Sequence, residues 1–159
     1  MNGAPRRWVA AGLLAGALDI VYAIAIWSTR DVAPAVVVQA IASGVLGRAA
    51  FGLGGTSVAL GLALHFAMTL AMAAAFAFAA GRLAWLSRAP LLAGAGYGVL
   101  LYVLMNGVVV PLSRAPLTGA PWPIAWANLG AHVFLVGIPI ALIVAGRRAR
   151  SADARALPH

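Results

Sequence analysis

The chain has 159 residues, of which 64% are hydrophobic and 9% are charged, and its formal net charge is +8. A soluble domain carries about 25% charged residues, so this composition excludes an ordinary soluble globule and indicates a membrane protein. The arginines flank apolar runs without interleaved aromatic residues, which excludes a nucleic-acid partner, and the absence of cysteine excludes disulfides and thiol chemistry.

The first predicted membrane helix covers residues 8–28 and follows two arginines. Its basic start and apolar run resemble a signal peptide, but the run is long and contains Asp19, so we predict a retained helix. Asp19 shares a helical face with Gly12 and Gly16, a small-xxx-small pattern that lets helix backbones approach closely. The pattern therefore predicts that Asp19 faces protein rather than lipid.

Residues 33–50 form a shorter segment, which we predict to be an interfacial or re-entrant helix rather than a membrane crossing. Pro34 is typical of a helix start, and Gln39 and Ser43 are four residues apart and share a face. These two polar residues are candidates for the lining of a vestibule. The alternatives are a helix that simply caps the bundle and a fifth full crossing.

Three further apolar runs, residues 56–80, 90–112 and 122–146, reach the length of about twenty residues that a crossing requires. The sequence therefore predicts an all-α polytopic membrane protein. Its single domain, residues 1–146, is a four-transmembrane-helix bundle with an additional short helix between the first two crossings. Residues 147–159 form a polar cytoplasmic tail.

The arginines favour four crossings over five. Four crossings with both termini inside place eight arginines on the inner side and three outside, whereas five crossings give seven against four. The inner set comprises Arg6, Arg7, Arg82, Arg88, Arg147, Arg148, Arg150 and Arg155, and the outer set comprises Arg30, Arg48 and Arg114. The positive-inside rule thus predicts a membrane protein with both termini cytoplasmic. Its expected partners are the lipid bilayer and either further copies of the chain or a larger membrane complex.

Ionisable side chains interrupt the apolar runs at a common depth. His65 lies in the middle of the stretch LALHFAMTL, and at 1.5 Å per residue Asp19, His65 and His132 all fall near the bilayer midplane. An ionisable group there costs about 2.5–3.5 kcal/mol, so we expect these three side chains to partner one another. The other hydrogen-bonding candidates for this cluster are Tyr22, Thr69, Tyr102, Asn106 and Asn128.

Three roles for the cluster stay open. A proton relay or a solute pathway would make the protein transport-related or proton-responsive. The side chains could instead form a polar core that fixes helix register, as in an accessory subunit of a membrane complex. No cofactor is predicted, although Asp19, His65 and His132 are candidate ligands for a divalent metal, and the two histidines for a haem. No GxSxG motif accompanies the serines, so the sequence favours a non-enzymatic function.

Several stretches carry a family resemblance: LDIVYAIAIW, VVVQAIASGVLGRAAFG, LGLALHFAMTLAMA, YGVLLYVLMNGVVVPLS and HVFLVGIPIAL. In them the chain resembles a family of small uncharacterised bacterial four-span inner-membrane proteins and, more distantly, the YagU-like inner-membrane proteins. The resemblance implies a four-span fold and an inner-membrane location, and it implies no substrate or activity. The positions that match the family pattern are Asp19, Gln39, Ser43, Gly44, His65, Asn106, Pro111 and His132.

Overall fold

Every regular element in the described part of the chain, residues 4–116 and 119–146 of the computed structural model, is a helix. The α-helices are α1 (Ala4–Ser28), α2 (Pro34–Leu46), α3 (Gly55–Arg82), α4 (Ala84–Arg88), α5 (Pro90–Leu104), α6 (Val110–Leu112), α7 (Trp122–Ala131) and α8 (Ile138–Ala145). A 3-10 turn, Gly47–Gly52, follows α2. The all-α prediction is therefore confirmed, and the short helix α4 is an element that the sequence analysis did not predict.

Two of the long helices contain a wide π turn. Met105–Val109 joins α5 to α6, and His132–Gly137 joins α7 to α8, so Pro90–Leu112 and Trp122–Ala145 each continue as one helix. We call these the α5–α6 helix and the α7–α8 helix. Each π turn ends two residues before a proline, Pro111 or Pro139, which is the second residue of the next helical piece. A proline ring collides with the carbonyl four residues earlier and offers no N–H, so the widened turn accommodates it.

Within the described residues, five helical segments are long and apolar enough to cross a membrane, whereas the sequence predicts four crossings. The additional segment is Pro34–Gly52, which corresponds to the short helix predicted over residues 33–50. It is not one straight helix. Its α-helical part has 13 residues, a length of about 20 Å, and it ends at Leu46, just before Gly47, whose φ is 61°.

The helices α1 and α3 lie side by side in opposite directions. A Cβ on Gly12 would lie 2.9 Å from the Cα of Leu70, and a Cβ on Gly16 would lie 3.0 Å from the ring of Phe66. Moving four residues forward along α1 therefore moves the contact backward along α3. The close approach predicted from the spacing of these two glycines is confirmed.

The α5–α6 and α7–α8 helices form a second antiparallel pair. A Cβ on Gly94 would lie 2.7 Å from the Cα of Ile138, and a Cβ on Gly98 would lie 2.6 Å from the Cα of Val133. Each glycine thus lets two backbones touch, and the pair is packed as tightly as α1 and α3.

The bundle has two unlike ends. Because α1 and α3 are antiparallel, the end of α1 and the start of α3 lie at the same end of the bundle. The segment that joins them contains α2, so we call this end the α2 end. We call the opposite end the α4 end. At the α4 end, α8 packs on α1, α3 and α5. Toward the α2 end, α7 makes few contacts with either α1 or α5. The buried apolar cluster consists of Ala11, Ala15, Ala73, Phe76, Ala80, Leu86, Ala93, Leu101, Val136, Ile140 and Ala141. The apolar core therefore occupies mainly the half of the bundle near the α4 end.

Candidate functional site

The histidine in the middle of α3 is bonded to the backbone of α1. His65 is only 5% exposed, and its Nε2 lies 2.9 Å from the carbonyl oxygen of Gly16. A carbonyl oxygen can only accept, so Nε2 carries the proton and donates it. Glycine makes this approach possible, because a Cβ there would lie 2.7 Å from Oγ1 of Thr69. Thr69 is also buried, and its hydroxyl donates to the Phe66 carbonyl oxygen at 3.1 Å.

The second histidine is held where α7 meets its π turn. His132 is half-buried, and its Nδ1 donates to the carbonyl oxygen of Asn128 at 2.9 Å. Its ring packs edge-on against the ring of Tyr102 on α5, with 5.5 Å between centroids. The wide turn thus directs the imidazole into the junction between α7 and α5.

Asn128 extends this arrangement to α1. The hydroxyl of Tyr22 donates to Oδ1 of Asn128 at 3.1 Å. Tyr22, Asn128, His132 and Tyr102 therefore link α1, α7 and α5, and we call these four residues the α7 network. All four are half-buried, which distinguishes them from the buried pair of His65 and Thr69.

Asp19 lies on α1 between Gly16, which His65 contacts, and Tyr22, which contacts Asn128 one helical turn before His132. Gly16 contacts His65 and Tyr22 contacts Asn128, so Asp19 lies within about one helical turn, 5.4 Å, of the level of both imidazoles. The carboxyl group is half-buried and interacts electrostatically with Tyr22. Within residues 4–116 and 119–146 it takes part in no hydrogen bond or ion pair.

The sequence analysis expected Asp19, His65 and His132 to partner one another. Instead, each imidazole donates to a backbone carbonyl, and in the described residues neither is bonded to Asp19. The physical reason is that a helix carbonyl keeps a second lone pair, which a nearby imidazole can use. The described residues also contain no group of three His, Asp or Glu side chains placed to hold a metal ion.

Asn106 lies apart from these residues. It is exposed on the π turn between α5 and α6, and its Nδ2 donates to the carbonyl oxygen of Tyr102 at 2.9 Å. The structure therefore places Asn106, which the sequence predicts to be in the cluster, on the outside of the bundle. It is bonded to the backbone of Tyr102 and not to its side chain.

The two vestibule candidates on α2 lie in a protein contact. Gln39 is 6% exposed, and its Nε2 donates to the hydroxyl of Ser57 and to the carbonyl oxygen of Gly54, each at 3.2 Å. Ser43 is 1% exposed and donates to the Ala40 carbonyl oxygen at 2.6 Å. The two bonds of Gln39 attach α2 to the start of α3, the placement expected of a helix that caps the bundle, whereas the bond of Ser43 lies within α2. The sequence did not predict that Gly54 and Ser57 accept these bonds, because the contact joins residues that are far apart in the chain.

Comparison with known proteins finds no match: no family model matches the chain, and no curated protein or solved structure matches it significantly.

Proposed function

We propose that this chain is a four-crossing membrane protein that takes up and releases protons at a polar site in the middle of its bundle, in a transport or proton-sensing role. The observation that supports this most directly is the shared level of Asp19, His65 and His132. Each imidazole donates one ring N–H to a carbonyl, which leaves its other ring nitrogen to take a second proton. A carboxyl group without a hydrogen-bond donor lies within about one turn.

The exposed surface supports membrane insertion. Large apolar side chains are exposed on several sides of the bundle, including Val21 at 65%, Leu92 at 73% and Phe134 at 67%. A soluble monomer rarely exposes apolar surface on this scale. Trp122 at the α2 end and Trp85 at the α4 end are 73% and 54% exposed, as expected of side chains at the two headgroup levels.

Four crossings fit the packing better than five. If Pro34–Gly52 were a complete crossing, α1 and α3 would run in the same direction, but their glycine contacts are antiparallel. The α-helical part of this segment is also about 10 Å shorter than a hydrocarbon core of about 30 Å. The carbonyl oxygen of Gly44 accepts the backbone N–H of Arg114 at 2.9 Å, so α2 ends beside the end of α6. We therefore propose that α2 re-enters at the α2 end.

The arginines support an orientation. Arg82 and Arg88 lie at the α4 end, together with the start of α1. Since further arginines follow α8 in the sequence, the positive-inside rule places the α4 end in the cytoplasm. We propose a bacterial inner-membrane location with both termini cytoplasmic.

The packing also supports access to the site from the α2 end. Asp19 and the α7 network are half-buried, and α7 makes few contacts with α1 and α5. The apolar core closes the other half of the bundle. The polar groups on the elements around this level are Tyr22 on α1, His65 and Thr69 on α3, Tyr102 on α5, and Asn128 and His132 on the α7–α8 helix.

The composition allows a direct test of this site. The chain contains three aspartates and no glutamate, so few carboxyl groups contribute to a pH-difference infrared spectrum of protein in lipid nanodiscs. We expect a carboxylic C=O band that Asp19→Asn removes. The matched control Asp31→Asn, in the exposed turn after α1, should leave it.

The proposal fails if Asp19→Asn and wild type give the same difference spectrum while the variant only lowers folding yield. The polar side chains would then fix helix register, as in an accessory subunit. If Asp19→Asn does not fold, Asp19→Glu supplies the second variant, because a longer carboxyl group should shift the band without removing it.

The crossing number has its own test, which cysteine labelling can perform because the chain has no cysteine. Thr29→Cys and Gly52→Cys flank α2, and Ala89→Cys lies between α4 and α5. With four crossings, an impermeant maleimide labels the first two from one side of the membrane and the third from the other. Labelling of Thr29→Cys and Gly52→Cys from opposite sides would establish five crossings instead.

A further inference from the structure

The α5–α6 helix is the least covered helix of the bundle. Only 11% of its 18-residue apolar stretch is buried, against 22% to 33% in the other four candidate crossings. Neither α6 nor the π turn Met105–Val109 contains a buried residue. The half of this helix near the α2 end thus projects from the bundle with little of the chain packed against it.

One face of this helix has a regular pattern of exposed residues. The buried residues Gly94 and Gly98 face the α7–α8 helix. The exposed face follows steps of four, three, four and three residues, and we call it the α5 seam: Leu92, Gly96, Val99, Val103 and Asn106. This is the seven-residue repeat by which two helices pack along a common seam. The chain itself supplies no partner helix for it in the described residues.

Two members of the α5 seam are unusual for a surface that faces lipid. Asn106 uses one N–H for the Tyr102 carbonyl, and its other N–H and its Oδ1 have no partner in the described residues. It lies six residues, about 9 Å, from the end of the helix at Leu112, a depth at which lipid tails offer no hydrogen bond. Gly96 has open space where a Cβ would be, so another helix backbone could approach there.

We propose that the α5 seam binds the α5 seam of a second copy of this chain, forming a parallel dimer in which the two Asn106 carboxamides hydrogen-bond to each other. Copies inserted with the same topology carry Asn106 at the same depth. A carboxamide is self-complementary, because the N–H of each copy can donate to the Oδ1 of the other. The interface is then two-fold symmetric, and a single asparagine in a seven-residue repeat is a known determinant of two-stranded register. This proposal does not depend on the proton site.

The absence of cysteine makes the dimer testable in native membranes by oxidative cross-linking. We expect Val103→Cys to give a disulfide-linked dimer. Val21→Cys, which is 65% exposed on α1 and thus matches the 58% exposure of Val103, should stay monomeric. In the Val103→Cys background, Asn106→Leu should lower the dimerisation constant about sevenfold, the effect of two membrane hydrogen bonds of average strength, and Asn106→Gln should restore much of it.

The dimer is refuted if Val103→Cys cross-links no more than Val21→Cys, or if Asn106→Leu leaves cross-linking unchanged. A cross-linked product with the mass of a different protein would assign the seam to another partner and would also overturn the proposal. If Asn106→Leu does not fold, as judged by yield and circular dichroism, the comparison between Val103→Cys and Val21→Cys decides alone.

Discussion

The Nε2 of His65 donates its proton to the carbonyl oxygen of Gly16 across 2.9 Å, so the middle of α3 is hydrogen-bonded to the backbone of α1. This bond depends on both residues. The imidazole must reach a carbonyl that already belongs to a helix, and only a residue without a side chain leaves room for it. The contact therefore requires a histidine at position 65 and a glycine at position 16, two positions that are far apart in the sequence.

Substitutions of His65 should separate the hydrogen bond from the packing. His65→Phe keeps a ring of similar size and loses the bond, so we expect a loss of about 0.5–1.5 kcal/mol in unfolding free energy. His65→Ala also leaves a cavity and should cost about 2–5 kcal/mol. Reversible unfolding in detergent, followed by circular dichroism, measures both. Equal stability of His65→Phe and wild type would show that the bond contributes nothing.

The contact between the α5–α6 and α7–α8 helices predicts a contrast between two glycines. Gly98→Ala places a Cβ 2.6 Å from the Cα of Val133, so the helices must separate, at a cost of about 1–3 kcal/mol. Gly130→Ala adds the same methyl group to α7 where nothing lies within 4 Å, and higher helix propensity should make it neutral or slightly stabilising. Thermal unfolding of the two variants side by side tests this. A similar loss in both would contradict the close contact.

The attachment of α2 predicts a local effect. Gln39→Leu removes the bonds to Ser57 and Gly54, so α2 should detach more often, and its amide hydrogens should exchange about tenfold faster, as expected for the loss of about 1.4 kcal/mol. The exchange rates of the α3 amides that follow its first turns should be unchanged. Val45→Leu, at an exposed position of α2, is the matched control. Unchanged exchange in Gln39→Leu would mean that other contacts hold α2 in place.

The π turn before Pro139 predicts a rotation. Pro139→Ala restores a backbone N–H and removes the ring, so we expect residues 132–137 to revert to α-helix and His132 to turn away from Tyr102. The ring contact at 5.5 Å gives the His132 ring protons a ring-current shift in NMR spectra, which the variant should lose. Pro123→Ala, in the first turn of α7, removes a proline that does not disturb the helix and should preserve the shift.

Much of the fold follows from sequence pattern, whereas the partners of the polar residues do not. Long apolar runs and the spacing of Gly12 and Gly16 predict helices and one close contact, because both depend on local periodicity. The partner of His65 is a backbone carbonyl, which no pattern of side chains can indicate. The same holds for Gln39, whose partners lie in the next helix. Predictions for the tail, residues 147–159, lie outside the described residues.

The backbone conformation at the π turns could likewise not be predicted from the sequence pattern. Pro111 and Pro139 are visible in the sequence as interruptions of apolar runs, and they indicate a disturbance of the helix. A kink, a break and a widened turn are all consistent with a proline. At Pro139, packing of the π turn His132–Gly137 against Gly94 and Gly98 keeps the chain helical on both sides, and this contact is absent from the sequence pattern.

The two pairs of glycine contacts divide the chain into halves that can each assemble before they meet. One tight hairpin, α1 with α3, is complete before α4 is synthesised, and the other, α5–α6 with α7–α8, uses only later residues. Helices that insert independently can associate afterwards without a covalent link. Two polypeptides separated at Ala89 and expressed together should therefore find each other in the bilayer and rebuild the bundle through α8.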